Sequence, residues 1–323
     1  MNNISSAKEQ SWLLSRVASS CYWLSRYRER AEFTARVLDV HLITVLDTRS
    51  HDGNNDWVPI LKINGSLDIA QEHGSVFDTE FVLRCLCVDP QNPNSIISCI
   101  RQARENSRQA REQISSEMWE QVNAAYHKLN QLTTAVLMTN THQTLQDIKN
   151  DALLLQGIVD QTMMHSEAWH FIRLGHFIER ANTTARLLAV RSDMRESHDE
   201  VYWEAVYWIA VLKSASSLEA FHKTYAAPVS AEAAIEFLLL NAESPRSILY
   251  SLESALDSLN HISGTTGRRF NNEADRILGQ MASRLHYLRL PDINLSAFLV
   301  EMQNCLSEVS DLVIHAYCAY EVA

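Results

Sequence analysis

Apolar residues recur along this chain with helical rather than strand spacing. Val17, Cys21, Leu24, Arg28, Ala31, Ala35, Leu38, Leu42 and Val45 follow one another by alternating steps of four and three. That spacing is the seam of a long helix packed on another helix. One seam position is an arginine, and the small Ala31 and Ala35 let a neighbouring backbone approach closely. At about 100° per residue, Tyr22, Glu29, Arg36 and Val40 fall on the opposite side. Glu29 and Arg36, two turns apart, therefore project from one face. No segment sustains a period-2 alternation. Capping signals at Asn94-Ser95, Ser230-Ala231-Glu232 and Asn294-Leu295 predict helix starts. Polar breaks at 49–55, 89–94, 191–199 and 263–272 separate the helices. The pattern predicts an all-α fold.

The seam is repeated. SRYRERAEFTARVLDV at 25–40 aligns with GHFIERANTTARLLAV at 175–190, and the identities include Glu29/Glu179, Arg30/Arg180, Ala35/Ala185 and Arg36/Arg186. Two weaker echoes follow in the same order. Trp57, Leu61 and Lys62 match Trp208, Leu212 and Lys213, and Pro93-x-Ser95-Ile96 matches Pro245-x-Ser247-Ile248. Related halves at about 13–150 and 163–323 are expected, each with five or six helices. No Pro/Gly/Ser-rich linker parts them. The expectation is a single compact multi-helix bundle over 13–323, with a pseudo-twofold axis between its halves and a short extension at 1–12.

Composition narrows the class. The 323 residues hold 8 Gly and 6 Pro, about 4% against an average of roughly 12%, and neither a G-x-G-x-x-G nor a P-loop motif occurs. An all-β fold and a glycine-looped nucleotide site are both disfavoured. A net charge of −11, from 28 basic and 39 acidic residues, argues against a nucleic-acid partner. No apolar run approaches the roughly 20 residues of a membrane span. The polar first ten residues lack a signal-peptide core, and the six cysteines show no framework spacing. A cytoplasmic, reduced protein is expected.

The repeated charges are the candidate chemistry. Glu29, Arg36, Glu179 and Arg186 can form a buried ion-pair network tying the halves together, since interior charge demands partners. They can equally form a site, with Glu29 or Glu179 as acid or base and Arg36 or Arg186 holding an anionic group. Arg101, Arg104, Arg108 and Arg111 step by three, four and three along one expected helix. This is either a solvated face or a docking surface for an acidic partner. Glu167…His170 and Glu219…His222 repeat the Glu-x-x-His spacing of di-iron bundles. Both pairs lie in one half without an equivalent in the other, so no metal and no cofactor are expected. A Gly-x-Ser-x-Gly elbow is absent.

LLSRVASSCYWLSRYRERAEFTARVLDV resembles the opening signature of the bacterial alpha-E domain family, and RQARENSRQAREQISSEMWEQVN, FIRLGHFIERANTTARLL and FLLLNAESPRSILYSL are similar to later parts of it. The resemblance covers about residues 13–320. It implies an all-helical, duplicated protein that accompanies a circularly permuted ATP-grasp amidoligase, a transglutaminase-like peptidase and, in some systems, the proteasome-like Anbu hydrolase. Carried onto this chain, the family positions are Arg16, Tyr22, Trp23, Arg26, Glu29, Arg30, Glu32 and Arg36, then Glu179, Arg180 and Arg186. His170 and His222 stand where relatives are expected to carry arginine. The implied role is a non-catalytic accessory or scaffold for a peptide-bond-forming ligase. The rivals are an enzyme with a Glu/Arg site acting on peptides or amino acids, and a carboxylate-bridged metal protein. Self-association is left open.

Overall fold

The predicted seam becomes α1, a 34-residue helix over Ser15–Thr48. In this computed structural model, residues 13, 15–48, 57–193, 201–265 and 270–318 are described. After α1 come α2 (Trp57–Ile63), α3 (Leu67–Gln71), α4 (Thr79–Leu83), α5 (Ile96–Gln109), α6 (Ser116–Asn130), α7 (Thr134–Thr139) and α8 (Thr141–Thr162). The chain continues with α9 (Glu167–Asp193), α10 (Val201–Ser214), α11 (Leu218–Thr224), α12 (Ala231–Leu240), α13 (Ile248–Ser263), α14 (Glu273–His286) and α15 (Leu295–Tyr317). Among the described residues there is no strand.

Helices α1 and α9 lie side by side at the centre. Their contacts advance together, from Leu13 N donating to Glu167 Oε2 at 3.1 Å, through Tyr22 against Gly175, to Arg30 on Glu179. The two helices therefore run parallel. Gly175 sets how close they come. A Cβ there would stand 2.3 Å from the Tyr22 carbonyl oxygen and 2.5 Å from Ser25 Oγ. Around α1 pack α5 and α8, bridged by α6; around α9 pack α13 and α15, bridged by α14. Helix α2 packs on α9 and α10 packs on α1, so each crosses to the other long helix. Trp57 and Trp208 are buried there. One continuous apolar cluster takes side chains from Ala18 on α1 to Val313 on α15.

Local chemistry accounts for the element ends. Ser95, Ser230 and Asn294 cap α5, α12 and α15 through side-chain oxygens that accept from Ser98, Ala233 and Ala297 N–H groups, as the sequence predicted. The arginine stripe differs from expectation. Helix α5 stops at Gln109, and α6 restarts at Ser116 behind Ser115, whose Oγ accepts from Met118 N at 3.1 Å. Arg111 therefore lies in a turn. The break lets the apolar positions of α5 (Ile96, Ile100, Ala103) and of α6 (Met118, Val122, Leu129) both face inward. The expected break at 49–55 and the extension at 1–12 lie outside the described residues. Helix α9 carries on through Asp193 into the break expected from 191.

Candidate functional site

Helices α1 and α9 are packed between their neighbours, so much of their polar flanks is buried along with the apolar seam. Buried positions on α1 include Ser25, Arg26, Arg28, Glu29, Glu32 and Thr34; on α9 they include His176, Glu179, Thr183 and Thr184. Charge placed there has to be met inside the protein.

It is met crosswise. Glu179, fully buried on α9, accepts from Arg26 Nε at 2.8 Å and from Arg30 Nε and Nη2 at 2.7 and 3.2 Å, both on α1. Glu29, buried on α1, accepts from Arg180 Nε and Nη2 at 2.8 and 3.2 Å, on α9. The two Glu-Arg pairs adjacent in sequence thus clasp each other across the helix interface. Arg26 and Arg30 also lie over aromatic faces, of Trp23 at 4.9 Å and Tyr27 at 5.7 Å.

The Glu29 side carries more charge than sequence reading found. Arg246, just before α13, donates to Glu29 at 3.0 Å and to both oxygens of Glu32 at 3.2 and 3.1 Å. Arg36 donates to Glu32 and to the Ser216 hydroxyl. Glu32, which has Asn182 as its counterpart in the repeat, is 2% exposed. Arg246 was missed. Its signal was the x in Pro245-x-Ser247, where the first half has Asn94. Arg28 donates to the Ala152 carbonyl at 3.0 Å and to Gln156 at 2.7 Å. His176 Nδ1 lies 2.8 Å from Arg28 and 3.1 Å from Glu29. As a neutral ring it accepts from the first or donates to the second, one at a time.

The electrostatics follow. Burial alone would raise the Glu179 carboxyl, but Arg26 and Arg30 overcome it and hold it at about 2. Burial likewise opposes ionisation of Glu29, and Arg180, His176 and Arg246 together hold it well below the usual carboxylate range. Burial, reinforced by Arg180, lowers His176 to about 3. Burial also depresses Arg28 to about 10 and, with Arg246 beside it, Arg36 to about 9. Seven guanidiniums (Arg26, Arg28, Arg30, Arg36, Arg180, Arg186 and Arg246) share three carboxylates. Both motif carboxylates are ionised and saturated with donors. Neither is poised to exchange a proton near neutral pH.

The other candidates are dispersed. Arg101 is exposed and lines a surface cavity of about 260 Å³ together with Arg30. Arg104 is tied to Asn123 at 2.7 Å and stacked over Tyr126 at 4.6 Å. Arg108 pairs with Glu105, and Arg111 reaches Ser116 at 3.3 Å. Glu167 accepts from the Leu13 N–H, while His170 stacks on His261 with ring centres 4.3 Å apart. Among the described residues no group of three or more His, Cys, Asp or Glu side chains could hold a metal ion, and no helix is long and apolar enough to cross a membrane. All six cysteines are free thiols, four of them buried.

A family profile named Alpha-E, described as a predicted alpha-helical domain with a conserved ER motif, matches residues 13–318. Glu29-Arg30 and Glu179-Arg180 are two Glu-Arg dipeptides of that kind. A Mycobacterium bovis protein and a Mycobacterium tuberculosis protein, each named only as uncharacterized, are 28% identical over 327 residues, covering 92% of this chain and 36% of theirs. A further Mycobacterium tuberculosis sequence is 27% identical over the same span. The chain thus spans about a third of the length of the curated relatives it matches. No solved structure matches it.

Proposed function

Because the chain belongs to the Alpha-E family of helical domains, we propose that it is a non-catalytic helical accessory to an ATP-grasp amidoligase, serving a system that forms amide bonds on peptides or amino acids. One observation carries the non-catalytic part. Glu29 and Glu179, the two candidate acid/base groups, are each locked by at least two cations and buried beneath them. Such groups build an interface and are closed to substrate. The ligase assignment rests on the resemblance of the motifs. It also fits relatives that carry this domain as about a third of a longer chain. We further read the chain as two copies of one unit about a pseudo-twofold axis along α1 and α9. The crosswise Glu-Arg pairs and the exchanged packing of α2 and α10 support this.

Docking falls to the exposed residues at the edge of α5. Arg101 and Arg108 face solvent, whereas Arg104 is spent on Asn123 and Tyr126. The test is co-expression with a circularly permuted ATP-grasp amidoligase from the same organism, purification through a tag on one, and measurement of the complex mass. A stoichiometric complex, lost in Arg101→Glu/Arg108→Glu and kept in Glu29→Gln provided that variant folds, is the expected result. Separation of the two proteins even with ATP and Mg²⁺ present would overturn the accessory role.

A further inference from the structure

The two sides of the central interface are not filled alike. On the Glu29 side, Arg36 meets the Glu32 carboxylate one turn before it and the Ser216 hydroxyl in the α10–α11 turn. On the Glu179 side, the residue at the same place in the repeat is Arg186. One turn before it stands Asn182, and at the place of Ser216 stands Gly65. Both of these turn residues have positive φ, +50° for Ser216 and +62° for Gly65, so the two turns share a backbone shape. They differ in the side chain that reaches the arginine.

Arg186 consequently lacks a partner. Among the described residues it makes no hydrogen bond and no carboxylate lies within 4 Å of it, and its Nε is buried without an acceptor. The guanidinium packs over bare backbone, since a Cβ on Gly65 would stand 2.9 Å from Arg186 Nη1. Its nearest carboxylate charge, Glu179, is already saturated by Arg26 and Arg30. Three cations therefore share one anion on this side. An uncompensated guanidinium so placed is costly unless an anion joins it. Arg186 is only half-buried and Gly65 is exposed, so an anion can arrive from solvent.

We propose that Arg186, framed by Gly65, Asn94 and Asn182, is a binding site for a carboxylate ligand, which takes the place that Glu32 fills on the opposite side. A planar carboxylate matches the fork of a guanidinium and accepts two parallel hydrogen bonds from it. The missing Cβ at Gly65 makes room for the guanidinium to lie against this exposed turn. Asn182, one helical turn before Arg186, brings an amide where the other side has a carboxylate and adds no negative charge to compete with a ligand. Burial lowers the pKa of Arg186, with Glu179 only partly opposing it, and a bound anion relieves that strain. The inference is independent of the ligase assignment, because it concerns this chain alone.

The test uses the full chain with N-acetylglycine as probe, following the Arg186 Nε–Hε resonance by NMR. Saturable shifts are expected with N-acetylglycine and none with N-acetylglycinamide. Arg186→Gln, which lacks that resonance and is followed through the Asn182 side-chain amide, should weaken binding about tenfold or more. Asn182→Glu supplies an internal carboxylate; it should abolish binding and raise the melting temperature, which keeps the test decisive if Arg186→Gln fails to fold. Acetate binding as well as N-acetylglycine would assign the site to the carboxylate alone, and tighter N-acetylglycine binding would assign it to a peptide end. Both support the site. Binding of inorganic phosphate in preference to the carboxylate, unchanged binding in Asn182→Glu, or no saturable shift would overturn it.

Discussion

Replacing Glu179 by glutamine removes one charge and almost no volume. The carboxylate it removes is 0% exposed and takes three hydrogen bonds from two arginines, at 2.7, 2.8 and 3.2 Å. Glutamine keeps one acceptor oxygen and turns an N–H₂ toward a second donor. Arg26 and Arg30 then stand buried with no counter-charge. Removing one partner of a buried pair costs about 3–5 kcal/mol, most of it from the stranded charge. With roughly 2–4 °C per kcal/mol for a large domain, Glu179→Gln should melt about 10 °C below the parent. The control is Glu301→Gln, which breaks the 2.6 Å pair with Arg284 where both side chains are about half exposed. That change should stay within about 0.5 kcal/mol. Circular dichroism melts of the three proteins decide the matter. A Glu179→Gln melt within about 2 °C of the parent would show that the clasp does not hold the fold, and the carboxylates would again be candidates for chemistry.

Acid should destabilise the protein in two stages. His176 falls from an ordinary 6.5 to about 3 and Glu179 from 4.5 to about 2. The unfolded chain therefore takes up protons that the folded one refuses, and stability is lost as pH drops below 6.5 and again below 4.5. Melting temperatures measured from neutral pH downward should decline accordingly, and a flat profile would contradict the assignment. Gly175→Ala tests the helix crossing. Helix propensity alone favours alanine by about 1 kcal/mol, but the 2.3 Å approach to the Tyr22 carbonyl should reverse the sign, with a loss of about 3 kcal/mol or failure to fold. A stabilised variant would refute the close packing. Burial lifts Cys21, Cys87 and Cys99 to about 12, so these thiols should resist maleimide in the native protein and react on unfolding, as mass spectrometry of labelled peptides would show.

Much of this was legible in the residues because a central, largely buried helix leaves two marks. Its apolar seam announces the helix, and its charged flank has to be answered elsewhere. The repetition of Glu29-Arg30 at Glu179-Arg180 hinted at where the answer lay. What escaped was carried by departures from the repeat. Glu32 and Arg246 stand where the other half has Asn182 and Asn94, and in the structure they pair with each other. Repeat matching discards such pairs because each member looks like a mismatch. The stop of α5 at Gln109 was hidden for another reason. Residues 101–113 keep helix-forming composition through the turn, and only Ser115, as a cap, marks the new start.

The central claim is that the Glu-Arg motif holds the two long helices together and performs no acid–base chemistry. Its most direct test is a carbon-13 NMR titration of the protein labelled at glutamate carboxyls, with Glu29→Gln and Glu179→Gln assigning the two resonances. Neither carboxyl should titrate between pH 4.5 and pH 8, Glu179 remaining ionised toward about 2. A carboxyl of either residue that takes up a proton between pH 5 and pH 8 would contradict it.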